Sequence, residues 1–338
     1  MRINQRYNLS IKKHLYPRHI PQYSKYTAGG DDSMTHVFID GSAGTTGLRI
    51  HERLQSRKDI SLICLPESLR KDPKAREEAI NAADVAFFCL PDDAAVEAAS
   101  MVHGNTAVID TSTAHRTAPG WVYGFAELAG FREKIAASRR VANPGCHASG
   151  FIALVQPLIQ AGILKKDAAL TCFSLTGYSG GGKKMIGDYE CGNPELSAPR
   201  QYGLTQNHKH LPEMVRICGL EKVPVFCPIV SDFYSGMLVT VPLFQSDIRG
   251  NQKDLAEIYS SCYHGPIVHF DTMSLGGMAA ANALAGRDDM AICIGGNEER
   301  ILLMAFFDNL GKGASGAAIQ NMNIILGLEE TTGLNIGR

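Results

Sequence analysis

The sequence predicts an α/β protein, with a Rossmann-type doubly wound parallel sheet followed by a second, α+β domain on a mixed or antiparallel sheet. Two observations carry this. The first half alternates short apolar runs with segments of helical period, beginning with a strand that ends in a glycine-rich turn. The second half strings longer β-rich runs between few helices. At 338 residues with 45% hydrophobic side chains, the chain can bury cores for two such domains.

The elements follow in order. THVFID (35–40) reads as a strand, 46–56 as a helix and SLICL (61–65) as the next strand, which makes a βαβ unit. A helix near 74–82, the strand DVAFFCL (84–90), a helix near 94–102 and the strand TAVID (106–110) extend it into a parallel sheet covered on both faces. The apolar runs AALTCFSLTG (168–177), PVFCPIV (224–230), GMLVTVPLF (236–244) and PIVHF (266–270) read as strands of the second sheet. The expected domains are 34–146 for a dinucleotide and 147–309 for catalysis. An apolar helix near 316–328, in the C-terminal stretch 310–338, is expected to return to the first domain.

Residues 1–33 hold six Lys or Arg, no acid before Asp31 and no clear period. They read as a flexible appendage: a leader, an over-extended start, or a basic presequence of the mitochondrial type.

A formal net charge of -1, from 33 basic and 34 acidic residues, gives no field that favours nucleic acid or a membrane surface. A small molecule is therefore the expected partner. No run approaches the roughly 18 apolar residues that span a bilayer. The nine cysteines are scattered without a CxxC pair or zinc-type spacing, as in a reducing cytoplasm.

Gly41, Ser42, Ala43, Gly44, Thr45, Thr46 and Gly47 follow the first strand and open its helix, where backbone N–H groups and the helix dipole can receive a pyrophosphate. The spacing is GxxGxxG, so a plain strand-to-helix turn is the alternative. After the second strand, Glu67 stands where an acid would bind the ribose of NAD, whereas Ser68, Arg70 and Lys71 suit a 2′-phosphate. Three phosphate-compatible groups against one acid favour NADP.

Cys146 differs from the other eight cysteines. It follows the rigid turn Asn143-Pro144-Gly145 and starts an apolar run of helical length. A helix N-terminus favours a thiolate and lowers a cysteine pKa, so Cys146 is the expected nucleophile. The candidate acid or base is His208 or His210, which would point the same way in an extended segment. No third ligand at metal spacing accompanies them, and no metal is expected. Ser112, Thr113 and Arg116 in DTSTAHR (110–116), Asn143, and Ser179 with Lys183 and Lys184 in GYSGGGKK (177–184) are candidates for binding substrate anions.

Taken in order, the glycine turn, DTSTAHR, YGFAEL (123–128), NPGCHASG (143–150), GYSGGGKK, NHKHLPE (207–213) and KGASGAAIQNMN (312–323) resemble the N-acetyl-γ-glutamyl-phosphate reductases of the shorter type, from Met34 to the C-terminus. The resemblance implies a fold shared with aspartate-semialdehyde dehydrogenases. It also implies NADPH-dependent reduction of N-acetyl-γ-glutamyl phosphate in arginine synthesis, through a thioester on Cys146, and a homodimer or homotetramer. A relative acting on aspartyl or aminoadipyl phosphate, and a non-catalytic NADP-sensing regulator, remain as alternatives.

Overall fold

The first sheet forms where the alternating pattern placed it. A computed structural model describes residues 34–271 and 277–337. The segment 1–33, read above as a flexible appendage, lies outside the described residues. The leading elements are β1 (Thr35–Asp40), α1 (Thr45–Leu54), β2 (Ile60–Ile63), α2 (Pro73–Asn81), β3 (Val85–Phe88), α3 (Asp92–Ser100), β4 (Ala107–Asp110), β5 (Val122–Tyr123), α4 (Phe131–Ala136) and β6 (Arg140–Ala142). Their strands form one sheet in the order β2-β1-β3-β4-β6-β5, with every pairing parallel.

Such a sheet is buried on both faces, and the alternation along β1 shows it. Val37 and Ile39 join a core with Ile50 and Leu54 of α1, while Phe38 faces the other way into a core with Ile80 of α2 and Ala98 of α3. Asp72 caps α2 by accepting from the Ala75 N–H, and Pro73 takes the first helical position, where its missing donor costs nothing.

The second half contains α5 (Cys146–Gln160), β7 (Thr171–Gly177), α6 (Gly182–Glu190), β8 (Arg200–Gln201), α7 (Leu211–Cys218), β9 (Val225–Ser231), β10 (Met237–Phe244), α8 (Gln252–Cys262), β11 (Val268–Phe270), β12 (Met290–Gly296), β13 (Arg300–Phe307) and α9 (Gly316–Ile325). Seven strands form a mixed sheet in the order β11-β12-β13-β10-β7-β9-β8. The long run after Cys146 makes α5, whose Phe151, Ile152, Leu154 and Val155 are fully buried against Val239, Val241, Leu303 and Phe307 of the sheet. The second half also holds three helices, α6 to α8, and two full strands, β12 and β13, that the strand-rich reading passed over. In MAICIGG and RILLMAFF the apolar residues run without alternation, so their period alone does not separate strand from buried helix.

Ala318, Ile319 and Met322 of α9 pack in the same core as β1 and α1. Both sheets lie within one compact unit, Thr35–Arg338. A buried lysine ties α9 into place. Lys312 is 1% exposed; its Nζ donates to both carboxylate oxygens of Glu127 at 2.8 Å and to Gln320 Oε1 at 2.6 Å, and it sits over the Phe125 ring. Removing one partner of a buried pair leaves the other charge uncompensated. Lys312→Ala is therefore expected to cost about 3 to 5 kcal/mol of stability by chemical denaturation; a loss below about 1 kcal/mol, the range of an exposed pair, would contradict this account.

Candidate active site

The parallel order reverses direction at β1, whose two neighbours are β2 and β3, and in open α/β sheets ligands bind outside the carboxyl ends of the strands at such a point. The turn Gly41–Gly47 lies there. Gly41 has φ +85°, and a side chain on it would run into the Cys89 carbonyl. Gly44 caps α1 without a side-chain bond, so the first-turn N–H groups stay free for an anion.

A cavity of about 690 Å³ opens from this turn. Gly44, Thr45, Thr46 and Gly47 line one part of it; Cys146, His208 and His210 line another, with Ser112, Thr113, Arg116, Asn143 and Ser179. The fold thus assembles most of the candidates, although they are scattered along the chain from Gly44 to His210. Gly41, Ser42 and Ala43 shape the turn without lining the cavity. Ser68, Arg70 and Lys71 are exposed just after β2, along with Glu67, outside the cavity wall. Lys183 and Lys184 do not reach it: Gly180–Gly182 and Met185 line that side, and Lys184 pairs outward with Asp188.

Cys146 is the first residue of α5, as its context predicted, and Gly145 before it leaves the helix N-terminus without a side-chain cap. Gly145 admits nothing larger, because a side chain would strike Arg116, Glu213 and His210. The expected lowering of the thiol pKa is not what the surroundings produce. Burial pushes the Cys146 thiol up from its ordinary value, against the opposing pull of the Arg116 guanidinium and the His147 backbone N–H. A helix terminus contributes about 0.3 to 2 kcal/mol, whereas an ion moved out of water loses several kcal/mol, so burial wins.

The two histidines converge without being extended. His210 is the helical residue that caps α7, its N–H donates to His208 Nδ1 at 3.2 Å, and the ring centroids are 4.8 Å apart. His210 joins Cys146 and His147 in one close group: a ring nitrogen of it, one of His147 and the Cys146 Sγ all lie within 4.8 Å of one another. The sequence separation between His147 and His210 hid this third donor beside the histidine pair. Burial holds all three imidazoles neutral: His210 falls well below its ordinary value, with Arg116 and the neighbouring histidines adding; His147 falls to about 3; and His208 falls with the added push of Lys209.

Several expected substrate contacts are committed elsewhere. The Ser112 hydroxyl donates to Asp110 at 2.7 Å and accepts from the Ala114 N–H, so it has no proton for an anion. Asn143 braces the site: its Nδ2 donates to the Ala314 carbonyl, and its Oδ1 accepts from Asn321. Ser179 accepts from Asn309 Nδ2 at 3.0 Å and keeps its own O–H. Arg116 donates to Glu213, Asn143 and Thr111, which leaves two of its five N–H groups for a ligand.

Sequence reasoning missed three residues. Glu213 is 1% exposed and accepts from Arg116 Nη1, Tyr123 Oη and the Gly145 N–H at 2.7, 2.7 and 3.1 Å. His147 bonds Ser174 Oγ through Nδ1 and Tyr202 Oη through Nε2, each at 2.7 Å. The signals were slight: for Glu213 its place one helical turn after His210, for His147 its place directly after Cys146, and for Tyr202 there was none.

The chain resembles known proteins along nearly its whole described length. Residues 36–138 match the semialdehyde dehydrogenase NAD binding domain, and 146–309 match the semialdehyde dehydrogenase dimerisation domain. Proteins of Brucella ovis and Brucella canis named N-acetyl-gamma-glutamyl-phosphate reductase are each 46% identical over 306 residues, covering 86% of this chain and 98% of theirs. Among solved structures, aspartate semialdehyde dehydrogenase II of Vibrio cholerae complexed with ASA superposes with a TM-score of 0.65 at 15% identity, over 87% of this chain and 98% of that one. Aspartate semialdehyde dehydrogenase with NADP from Candida albicans gives 0.62 at 14%, over 87% and 99%. At these identities the structures attest the fold.

The thiolate is the reacting form of Cys146, and burial raises its pKa. Alkylation of Cys146 by iodoacetamide in the free protein is therefore expected to accelerate with pH and to half-saturate above the ordinary cysteine value of about 8.5. A midpoint well on the acid side of that value would show that Arg116 and the helix terminus outweigh burial.

Proposed function

The chain belongs to the semialdehyde dehydrogenase family and, within it, to the N-acetyl-γ-glutamyl-phosphate reductases, and we propose that it carries out the reaction of that name. The substrate is N-acetyl-γ-glutamyl phosphate, the reductant NADPH, and the products N-acetylglutamate 5-semialdehyde and phosphate, in arginine biosynthesis in the cytoplasm. The observation that carries the reading is the Cys146 thiol at the N-terminus of α5, within 4.8 Å of a His210 nitrogen and lining one cavity with the Gly44–Gly47 turn.

Neutral His210 takes the thiol proton as Sγ attacks the acyl carbon. Phosphate departs and leaves a thioester on Cys146. The remaining N–H groups of Arg116 and the Ser179 hydroxyl hold the anionic substrate, and the free amides of α5 face the developing oxyanion. The dinucleotide supplies hydride when bound. His210 returns its proton to the resulting oxyanion, and the thiohemiacetal collapses to release aldehyde and thiol. Only His210 of the pair belongs to the close group around Sγ, so it is the acid and base, while His208 accepts its backbone N–H and orients it.

The residues fit a dinucleotide. The uncapped turn before α1 suits the pyrophosphate, and Ser68, Arg70 and Lys71 stand at the same carboxyl edge of the sheet, where a 2′-phosphate would sit. Residues 34–146 with 310–338 form the dinucleotide-binding domain, and 147–309 the catalytic and dimerisation domain.

The chain acts as a homodimer or as a homotetramer of such dimers. On the face of the seven-stranded sheet away from α5, Phe173, Val225, Phe244 and Leu302 are 41, 53, 64 and 39% exposed, and no described element covers them. A second copy would bury this apolar face.

In the reverse direction, the protein is expected to reduce NADP, in preference to NAD, with N-acetylglutamate semialdehyde and phosphate; Cys146→Ser is expected to give no turnover yet bind NADP as before. A preference for aspartate semialdehyde would move the assignment to the sister enzymes, and substantial activity in the variant would sink the thioester route. In sedimentation velocity, wild type is expected to run as a dimer or larger, and Phe244→Asp with Leu302→Asp to shift it toward monomer; a monomeric wild type would overturn the dimer.

A further inference from the structure

We propose that Cys146, His147 and His210 form a three-donor site for a borderline-soft divalent cation, zinc above all, which binds reversibly and blocks the nucleophile. This function is separate from turnover and does not depend on which acyl phosphate the enzyme reduces.

One thiol and two imidazoles are the donor set that zinc prefers, and their donor atoms lie within 4.8 Å of one another. With Zn–S near 2.3 Å and Zn–N near 2.0 to 2.1 Å, tetrahedral donors stand about 3.5 Å apart, so the side chains must close by on the order of 1 Å. A further observation points to a ligand here. His210 is 5% exposed and lines the cavity, yet its Nδ1 has no hydrogen-bond partner among the described residues. A buried nitrogen left so is costly, and a cation would satisfy it.

His147 is already held as a metal-binding histidine usually is. If Nε2 turns to the metal and releases Tyr202, Nδ1–H still donates to Ser174 Oγ and fixes the ring; if Nδ1 binds, the Tyr202 hydroxyl takes that role at Nε2. Arg116 and Lys209 oppose a cation here, and Glu213, paired with Arg116 and 4.0 Å from His210 Nε2, offsets part of that positive charge, while Lys209 is exposed at the cavity wall. The fourth position faces the open cavity and takes water, the arrangement of three protein ligands and one exchangeable site. Binding exchanges the Sγ–H bond for Sγ–Zn and releases the thiol proton to solvent. With its lone pair on zinc, Sγ cannot attack a carbonyl or an alkylating reagent.

The test uses the full-length protein with the metals themselves. Cobalt(II) as a stand-in is expected to give a sulfur-to-cobalt charge-transfer absorption together with intense tetrahedral ligand-field bands, both abolished by one equivalent of zinc. Zinc is expected to protect Cys146 from iodoacetamide, with EDTA restoring its reactivity. Cys146→Ser should lose the charge-transfer band, and His147→Gln and His210→Gln should each weaken zinc binding by about tenfold or more, measured by competition with a chromophoric chelator. Two histidine variants keep the test decisive should one fail to fold. The site is overturned if cobalt shows no charge transfer, or if zinc affinity is unchanged in Cys146→Ser, which would place the metal on exposed thiols such as Cys64, Cys191 or Cys262.

Discussion

A single buried carboxylate organises the centre of this molecule. Glu213 receives the Arg116 guanidinium and the Tyr123 hydroxyl from the first half of the chain, and the Gly145 N–H from the turn before Cys146. It stands on α7, one turn after His210, whose Nε2 is 4.0 Å from its carboxylate. One side chain therefore sets the relative places of Arg116, the start of α5 and the histidines. A carboxylate buried at this depth without partners is costly; the guanidinium and two further donors satisfy its oxygens. The same pairing takes Arg116's charge partly away from Cys146, which is why burial prevails at the thiol.

Two helix N-termini meet at the cavity, α1 with its glycine turn and α5 with Cys146, and both begin at a glycine whose side cannot cap them. A helix end left uncapped carries unsatisfied N–H groups, a loss for stability unless a ligand uses them. Here one end suits a pyrophosphate and the other a developing oxyanion. Burial keeps the surrounding imidazoles neutral, so the group beside the thiol can accept its proton, and the low polarity that raises the thiol pKa also strengthens every charge interaction during turnover.

The doubly wound sheet, the glycine turn at its switch point and the place of Cys146 at the start of a helix were legible in the sequence because each is a local property. Strand alternation, a helix after glycines, and a cysteine between a rigid turn and an apolar helix are set by neighbours a few residues away. NHKHLPE likewise announced the histidine pair. What local pattern could not supply was partnership. Ser112 reads as a free hydroxyl until folding places Asp110's carboxylate on it, and Lys183 reads as an anion-binding cation until the turn of α6 carries it to the surface.

The tertiary structure alone decided the rest. His147 and His210 are distant in sequence and adjacent in space, which distinguishes His210 from His208 and creates a cluster of donors that no spacing rule would find. Glu213's role depends on Arg116, Tyr123 and Gly145 arriving from three other segments. The direction of the Cys146 shift depends on the depth of its burial, a property of the packed whole. The sequence by itself determined which chemical groups the protein owns and the backbone elements that carry them; folding decided which of those groups remain free to react, because long-range packing sets both desolvation and hydrogen-bond partners.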